Sequence, residues 1–178
     1  IYHSSTDKLS QFLTNLCNYF TFWKELEYFR CAGFEFETVV QLLKVQMPKL
    51  KKLDLKLYDC YCSENQLSLI KIKSVKELVI EFSTEFSILT LIVLLKMFPM
   101  VERLSLSIPN ELESAFEISN LDGQLKEVEI ICKKLGDISV RKLLASSIKS
   151  VTIQQDHFQV KWNKDEEEQI YYQFDFKK

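Results

Sequence analysis

The chain has 178 residues, 47% of them hydrophobic, with 23 Lys+Arg against 25 Asp+Glu for a formal net charge of −2. That is enough chain for one domain with a sizeable core, and ordinary hydrophobicity at near-zero net charge excludes a disordered segment. Three glycines are too few for a phosphate- or dinucleotide-cradling loop, and the balanced charge removes the electrostatic case for direct nucleic-acid or membrane binding.

Five cysteines (Cys17, Cys31, Cys60, Cys62, Cys132) are an odd number without zinc-ribbon or disulfide-framework spacing, which points to a reducing compartment, cytoplasmic or nuclear. Cys60 and Cys62 form a C-x-C with no second Cys or His pair nearby, and the two histidines are His3 and His157. Neither a metal nor a cofactor is expected on these residues. The most apolar run, residues 88–95, is far short of the ~20 residues a membrane span needs.

In chain order, residues 1–22 read as a leading helix: Leu9, Phe12, Leu13, Leu16 and Phe20 share a face, with Thr6 or Asp7 as N-cap. No strand precedes it and the first residue is Ile1, so upstream sequence is expected to be missing. Residues 23–154 then repeat one pattern, apolar-x-x-apolar-x-apolar, six times. The copies begin at Trp23, Leu50, Val75, Val101, Leu125 and Ile148, at intervals of 27, 25, 26, 24 and 23. Within each copy the last two apolar positions are two apart and face the same side of a short strand.

Between copies the period becomes helical. Val39, Val40, Leu42, Leu43 and Val45 form a stripe that stops at Pro48, and Ile88, Leu91, Ile92, Leu94, Leu95 and Phe98 form another that stops at Pro99. Proline cannot continue a helix and biases the residue before it toward extended geometry, so each marks a helix end and a swing into the next strand. Shorter helices are expected over 64–72 and 138–145, and residues 111–123 are the least regular. Residues 155–178 leave the repeat: Phe158, Val160 and Trp162 alternate, as do Ile170, Tyr172, Phe174 and Phe176, around a polar connection. This predicts a hairpin that covers the end of the preceding array, with the acidic run 165–168 as a solvated turn.

Strands alternating with helices at this spacing run parallel, because a crossover is the short way back to start a parallel neighbour. A single unit cannot bury its own apolar face, but a stack of six can, in a solenoid with a strand-lined concave face and a helical convex face. The competing arrangement is a doubly wound α/β domain, whose strands read as continuous apolar runs; here apolar and charged residues alternate.

The period and core pattern resemble leucine-rich repeats. The junctions Val45-Gln-Met-Pro48-Lys-Leu50-Lys-Lys-Leu53-Asp-Leu55 and Lys96-Met-Phe-Pro99-Met-Val101-Glu-Arg-Leu104-Ser-Leu106 resemble those of the leucine-rich repeats of F-box proteins. The fold expected is therefore an α/β leucine-rich-repeat solenoid of six strand-helix repeats with a C-terminal β-hairpin cap. The resemblance implies recruitment of a protein substrate to a Skp–cullin ubiquitin ligase, with the F-box in the missing N-terminal part. The alternative is a repeat scaffold in another intracellular complex, nuclear or chromosome-associated. Other repeat classes place Asn or Cys after the strand; Cys31 and Cys132 lie near that position.

No G-x-S-x-G, H-E-x-x-H or P-loop pattern is present, and the adjacent Asp156 and His157 lack the third group of a triad, so no catalytic residue is assigned. Trp23 and Trp162 read as core or cap residues, while Tyr58, Asp59 and Tyr61 follow the second strand and read either as part of the rim of the binding face or as cover for the turn. Residues that alternate with the buried pairs face the concave side: Glu25, Glu27, Phe29; Lys52, Asp54, Lys56; Glu77, Val79, Glu81; Arg103, Ser105, Ser107; Glu127, Glu129, Ile131; and Ser150, Thr152, Gln154. Three cations against seven anions give this face −4, more acidic than the whole chain, and predict a protein partner of basic character with apolar anchors at Phe29, Val79 and Ile131.

Overall fold

Among the described residues, three of the repeats open on a tight turn whose chemistry is visible in the chain. In the computed structural model, which describes residues 15, 20–44, 47–58, 70–83, 88–112, 125–135, 148–155, 158–164 and 171–174, the Leu50 N–H donates to the Met47 carbonyl at 3.2 Å and the Val101 N–H to the Phe98 carbonyl at 3.4 Å. Pro48 and Pro99 thus hold the second position of a four-residue turn, where a fixed φ near −65° is already correct. The Leu26 N–H closes on the Trp23 carbonyl at 3.4 Å in the same way, without a proline.

Eight strands form one sheet in chain order: β1 (Tyr28–Glu35), β2 (Lys52–Tyr58), β3 (Glu77–Phe82), β4 (Arg103–Leu112), β5 (Glu127–Leu135), β6 (Ser150–Gln155), β7 (Phe158–Asn163) and β8 (Tyr171–Phe174). The first six are parallel, while β7 and β8 are antiparallel to their predecessors. The expected hairpin is therefore present, and β7 joins it to the edge of β6. The described helices are α1 (Phe20–Glu25), α2 (Phe36–Leu43) and α3 (Ile88–Met97). Residues 70–76 form no helix, and the remaining positions expected to be helical, 64–69 and 138–145, lie outside the described residues, as does most of 1–19.

The parallel register stacks equivalent residues into columns. Leu53, Leu78, Leu104, Val128 and Val151 form one; Cys31, Leu55, Ile80, Leu106, Ile130 and Ile153 form the next; all are buried. A further column, Leu57, Phe82, Ile108 and Cys132, extends the buried face beyond the two positions expected from the repeat. Cys31 and Cys132 are thus buried, disulfide-free strand residues, not turn residues. Each fully buried Leu or Ile contributes about 1.5–3 kcal/mol by leaving water.

Val39, Val40, Leu42 and Leu43 of α2 and Leu91, Leu94 and Leu95 of α3 enter the same core cluster as the strands. Burial alternates strictly along β2 and β3, so one sheet face is covered and the other is open, with both helices on the covered side. The strand order has no reversal, whereas a doubly wound sheet reverses at its switch point. Backbone bonds repeat as regularly: the carbonyls of Glu27, Lys51, Lys76, Glu102 and Lys126 each accept two consecutive N–H groups from the next repeat, at 2.8–3.1 Å. The one irregularity in β1 is a bulge at Gly33, where φ is +80°, a conformation that glycine adopts at little cost.

Candidate functional site on the open sheet face

Side chains that alternate with the buried columns form three rows across the open face. The first runs Tyr28, Lys52, Glu77, Arg103, Glu127, Ser150 and ends at Asn163 of β7; the second runs Arg30, Asp54, Val79, Ser105, Glu129, Thr152 and ends at Lys161. Ala32, Lys56, Glu81, Ser107, Ile131 and Gln154 form the third, ending at Gln159.

Over β1–β3 the charges neutralise one another. Lys52 pairs with Glu77, Lys56 Nζ lies 2.5 Å from Glu81 Oε1, and Arg30 Nε lies 3.4 Å from Asp54 Oδ2. The hydrogen bond that Lys56 donates to Glu81 holds its ammonium above its ordinary pKa. Arg103 reaches back to Glu77 at 3.9 Å. Just before the strands a second ladder runs along the sheet's rim: Lys51 meets Glu27 at 3.1 Å, and Glu102 bridges Lys76 (3.0 Å) and Lys126 (2.6 Å). The two lysines hold the Glu102 carboxyl below its usual range, the hydrogen bond from Lys126 being the larger cause.

Over β4–β6 this pairing stops. Among the described residues Glu127 has no ion pair, and Glu129 accepts only a 2.7 Å hydrogen bond from the Ser105 hydroxyl. A shallow hollow of about 250 Å³ lies here, lined by Glu77, Val79, Arg103, Ser105, Glu127, Glu129, Ser150 and Thr152 together with strand backbone.

From β2 onward the expected face residues are where the alternation put them: Lys52, Asp54, Lys56, Glu77, Val79, Glu81, Arg103, Glu127, Glu129 and Ile131 all lie in these rows. The first repeat is corrected by three residues. Trp23, 4% exposed, is the counterpart of Met47 and Phe98, and Leu26 opens the strand unit. Glu25 therefore ends α1, Glu27 precedes β1, and Phe29 packs against the core with its ring 5.5 Å from that of Trp23, edge to face. Tyr28, expected inside, is 47% exposed.

Losing Glu25 and Glu27 and gaining Arg30 changes the electrostatics. The face of β1–β6 carries four cations (Arg30, Lys52, Lys56, Arg103) and five anions (Asp54, Glu77, Glu81, Glu127, Glu129), a net −1 in place of −4. Tyr28 and Arg30, with Ala32, and Lys161, with Gln159 and Asn163, are the face residues that the alternation missed. A signal for the first two was in the chain: the interval of 27 is the longest, and starting the copy at Leu26 makes it 24. Lys161 reaches the face because β7 pairs with β6, which no repeat period encodes.

Trp162 packs against the core, and Tyr58 is half-buried at the end of β2. Asp59, Cys60, Tyr61, Cys62, Asp156, His157 and residues 165–168 lie outside the described residues. Among the described residues, no group of three His, Cys, Asp or Glu is placed to share a metal, and no helix is long and apolar enough to cross a membrane. No protein-family model, curated protein or solved structure matches the chain.

Proposed function

We propose that this chain is a leucine-rich-repeat solenoid serving as a non-enzymatic protein–protein interaction domain, the substrate-recognition part of an F-box-type ubiquitin-ligase adaptor. One observation carries the interaction reading: a continuous sheet has one face filled by core columns and the other left open, with in-register polar rows and a hollow. Such a face presents broad, shallow, rigidly spaced contacts, which suit a protein surface or an extended peptide better than an enclosed small molecule.

Two features support the repeat class: the interval of 23–26 residues after Leu26, and the proline-initiated turns at Met47–Leu50 and Phe98–Val101. The F-box assignment rests on the likeness of those two junctions to the repeats of F-box proteins. It requires an F-box in the same polypeptide to reach a Skp–cullin complex, and it entails a cytoplasmic or nuclear location without direct membrane or nucleic-acid contact. Tagged full-length protein is expected to co-purify a Skp-type adaptor and a cullin in near-stoichiometric amounts. Full-length protein lacking both would contradict the ligase assignment and leave the interaction reading standing.

A further inference from the structure

The open face is electrostatically uneven in a way its net charge conceals. Across β1–β3, Asp54, Glu77 and Glu81 each have a cation within ion-pair distance, so that half offers an incoming charge little beyond what it already holds. Across β4–β6, Glu127 and Glu129 have no such cation among the described residues, and both project from one strand onto the hollow. Arg103, the cation on the adjacent strand, is engaged with Glu77 at 3.9 Å. Lys161 stands two strands away in the row of Glu129, about 10 Å off at normal strand spacing.

Building on the interaction reading above, we propose that this half of the face is the docking point for a basic side chain of an extended segment in the partner protein, with arginine preferred. Residues two apart on a strand are about 7 Å apart, so the two carboxylates can grip opposite sides of one guanidinium. Ser105 and Thr152 flank Glu129 on the neighbouring strands and supply hydroxyl acceptors, while Val79 offers apolar surface for the aliphatic stem. The self-paired half then contributes shape and weak polar contact, and the hollow supplies the charge selection.

The probe is a displayed library of random, unstructured nonapeptides panned against the domain at low and moderate salt. Arginine or lysine is expected to dominate one peptide position by about tenfold over glutamine, less at the higher salt. Glu127→Gln/Glu129→Gln, both exposed changes whose fold is checked by circular dichroism and thermal melting, should reduce that preference to near unity. Lys56→Gln/Glu81→Gln should leave it unchanged. Basic enrichment that survives Glu127→Gln/Glu129→Gln overturns the proposal. Selected peptides that lack a basic preference, yet lose binding on Ser105→Arg, overturn the charge selection while keeping the docking face. Failure to select any peptide that Ser105→Arg displaces contradicts the docking face and the proposal together.

Discussion

Glu102 shows what in-register stacking does to a single side chain. The parallel register puts Lys76 and Lys126 just before the strands to either side, and their ammonium groups converge on one carboxylate. Its pKa is lowered, so its stabilising contribution is present above the ordinary glutamate value of about 4.3 and is lost as pH falls through the depressed folded value. Lys49 and Lys56 have the opposite sign: their bonds to Glu25 and Glu81 raise their pKa values, and that contribution is lost only as pH rises through the raised ammonium range. Neutral pH lies between the two windows, where all four ion pairs are intact. An NMR titration should find the Glu102 carboxyl midpoint below that of a free glutamate and moving upward on Lys126→Gln. An unshifted midpoint, insensitive to Lys126, would contradict this geometry. Cys31 belongs to the other environment: burial in the core column pushes its thiol up to about 11, so it stays protonated and acts as a small apolar side chain.

At the scale of the element, β1 is where packing decides what pattern alone left ambiguous. Trp23-Lys-Glu-Leu26-Glu-Tyr28 and Leu26-Glu-Tyr-Phe29-Arg-Cys31 both fit the repeat pattern, and no proline marks which apolar residue closes the turn. The second fits the neighbours, because it sets Cys31 beside Leu55 and Phe29 beside Leu53. Phe29→Ala is therefore expected to cost about 2–3 kcal/mol in denaturant unfolding, and Tyr28→Ala less than about 0.5. The reverse order of sensitivity would restore the longer first repeat. The later strands were legible residue by residue for a physical reason: Pro48 and Pro99 anchor the turns, and aliphatic residues at every second position leave one way to fill the covered face. Pairing of the hairpin to β6 and the cross-strand ion pairs depend on register between distant segments. The period implies that register only after the copies are correctly aligned, which is why an apparent −4 face becomes −1.

For the whole molecule, the consequence is a sheet with two different sides. The covered side gathers the helices and the buried columns into one core cluster, and β7 and β8 continue the sheet past the last parallel strand. Antiparallel continuation satisfies the backbone edge that β6 would otherwise expose, a hazard every open parallel array faces. The open side offers spaced polar groups in fixed register, with its charges nearly balanced and the β5 carboxylates Glu127 and Glu129 without an ion pair among the described residues. The direct test of that side as the binding surface is quantitative capture of cellular proteins by full-length protein compared with a Ser105→Arg/Thr152→Arg variant, two exposed-face substitutions that leave the core columns untouched. The proteins captured by the unaltered chain are expected to fall at least tenfold with the variant, while Lys96→Glu on the exposed side of α3 changes nothing. Equal capture by a folded Ser105→Arg/Thr152→Arg variant would contradict that role for the open side.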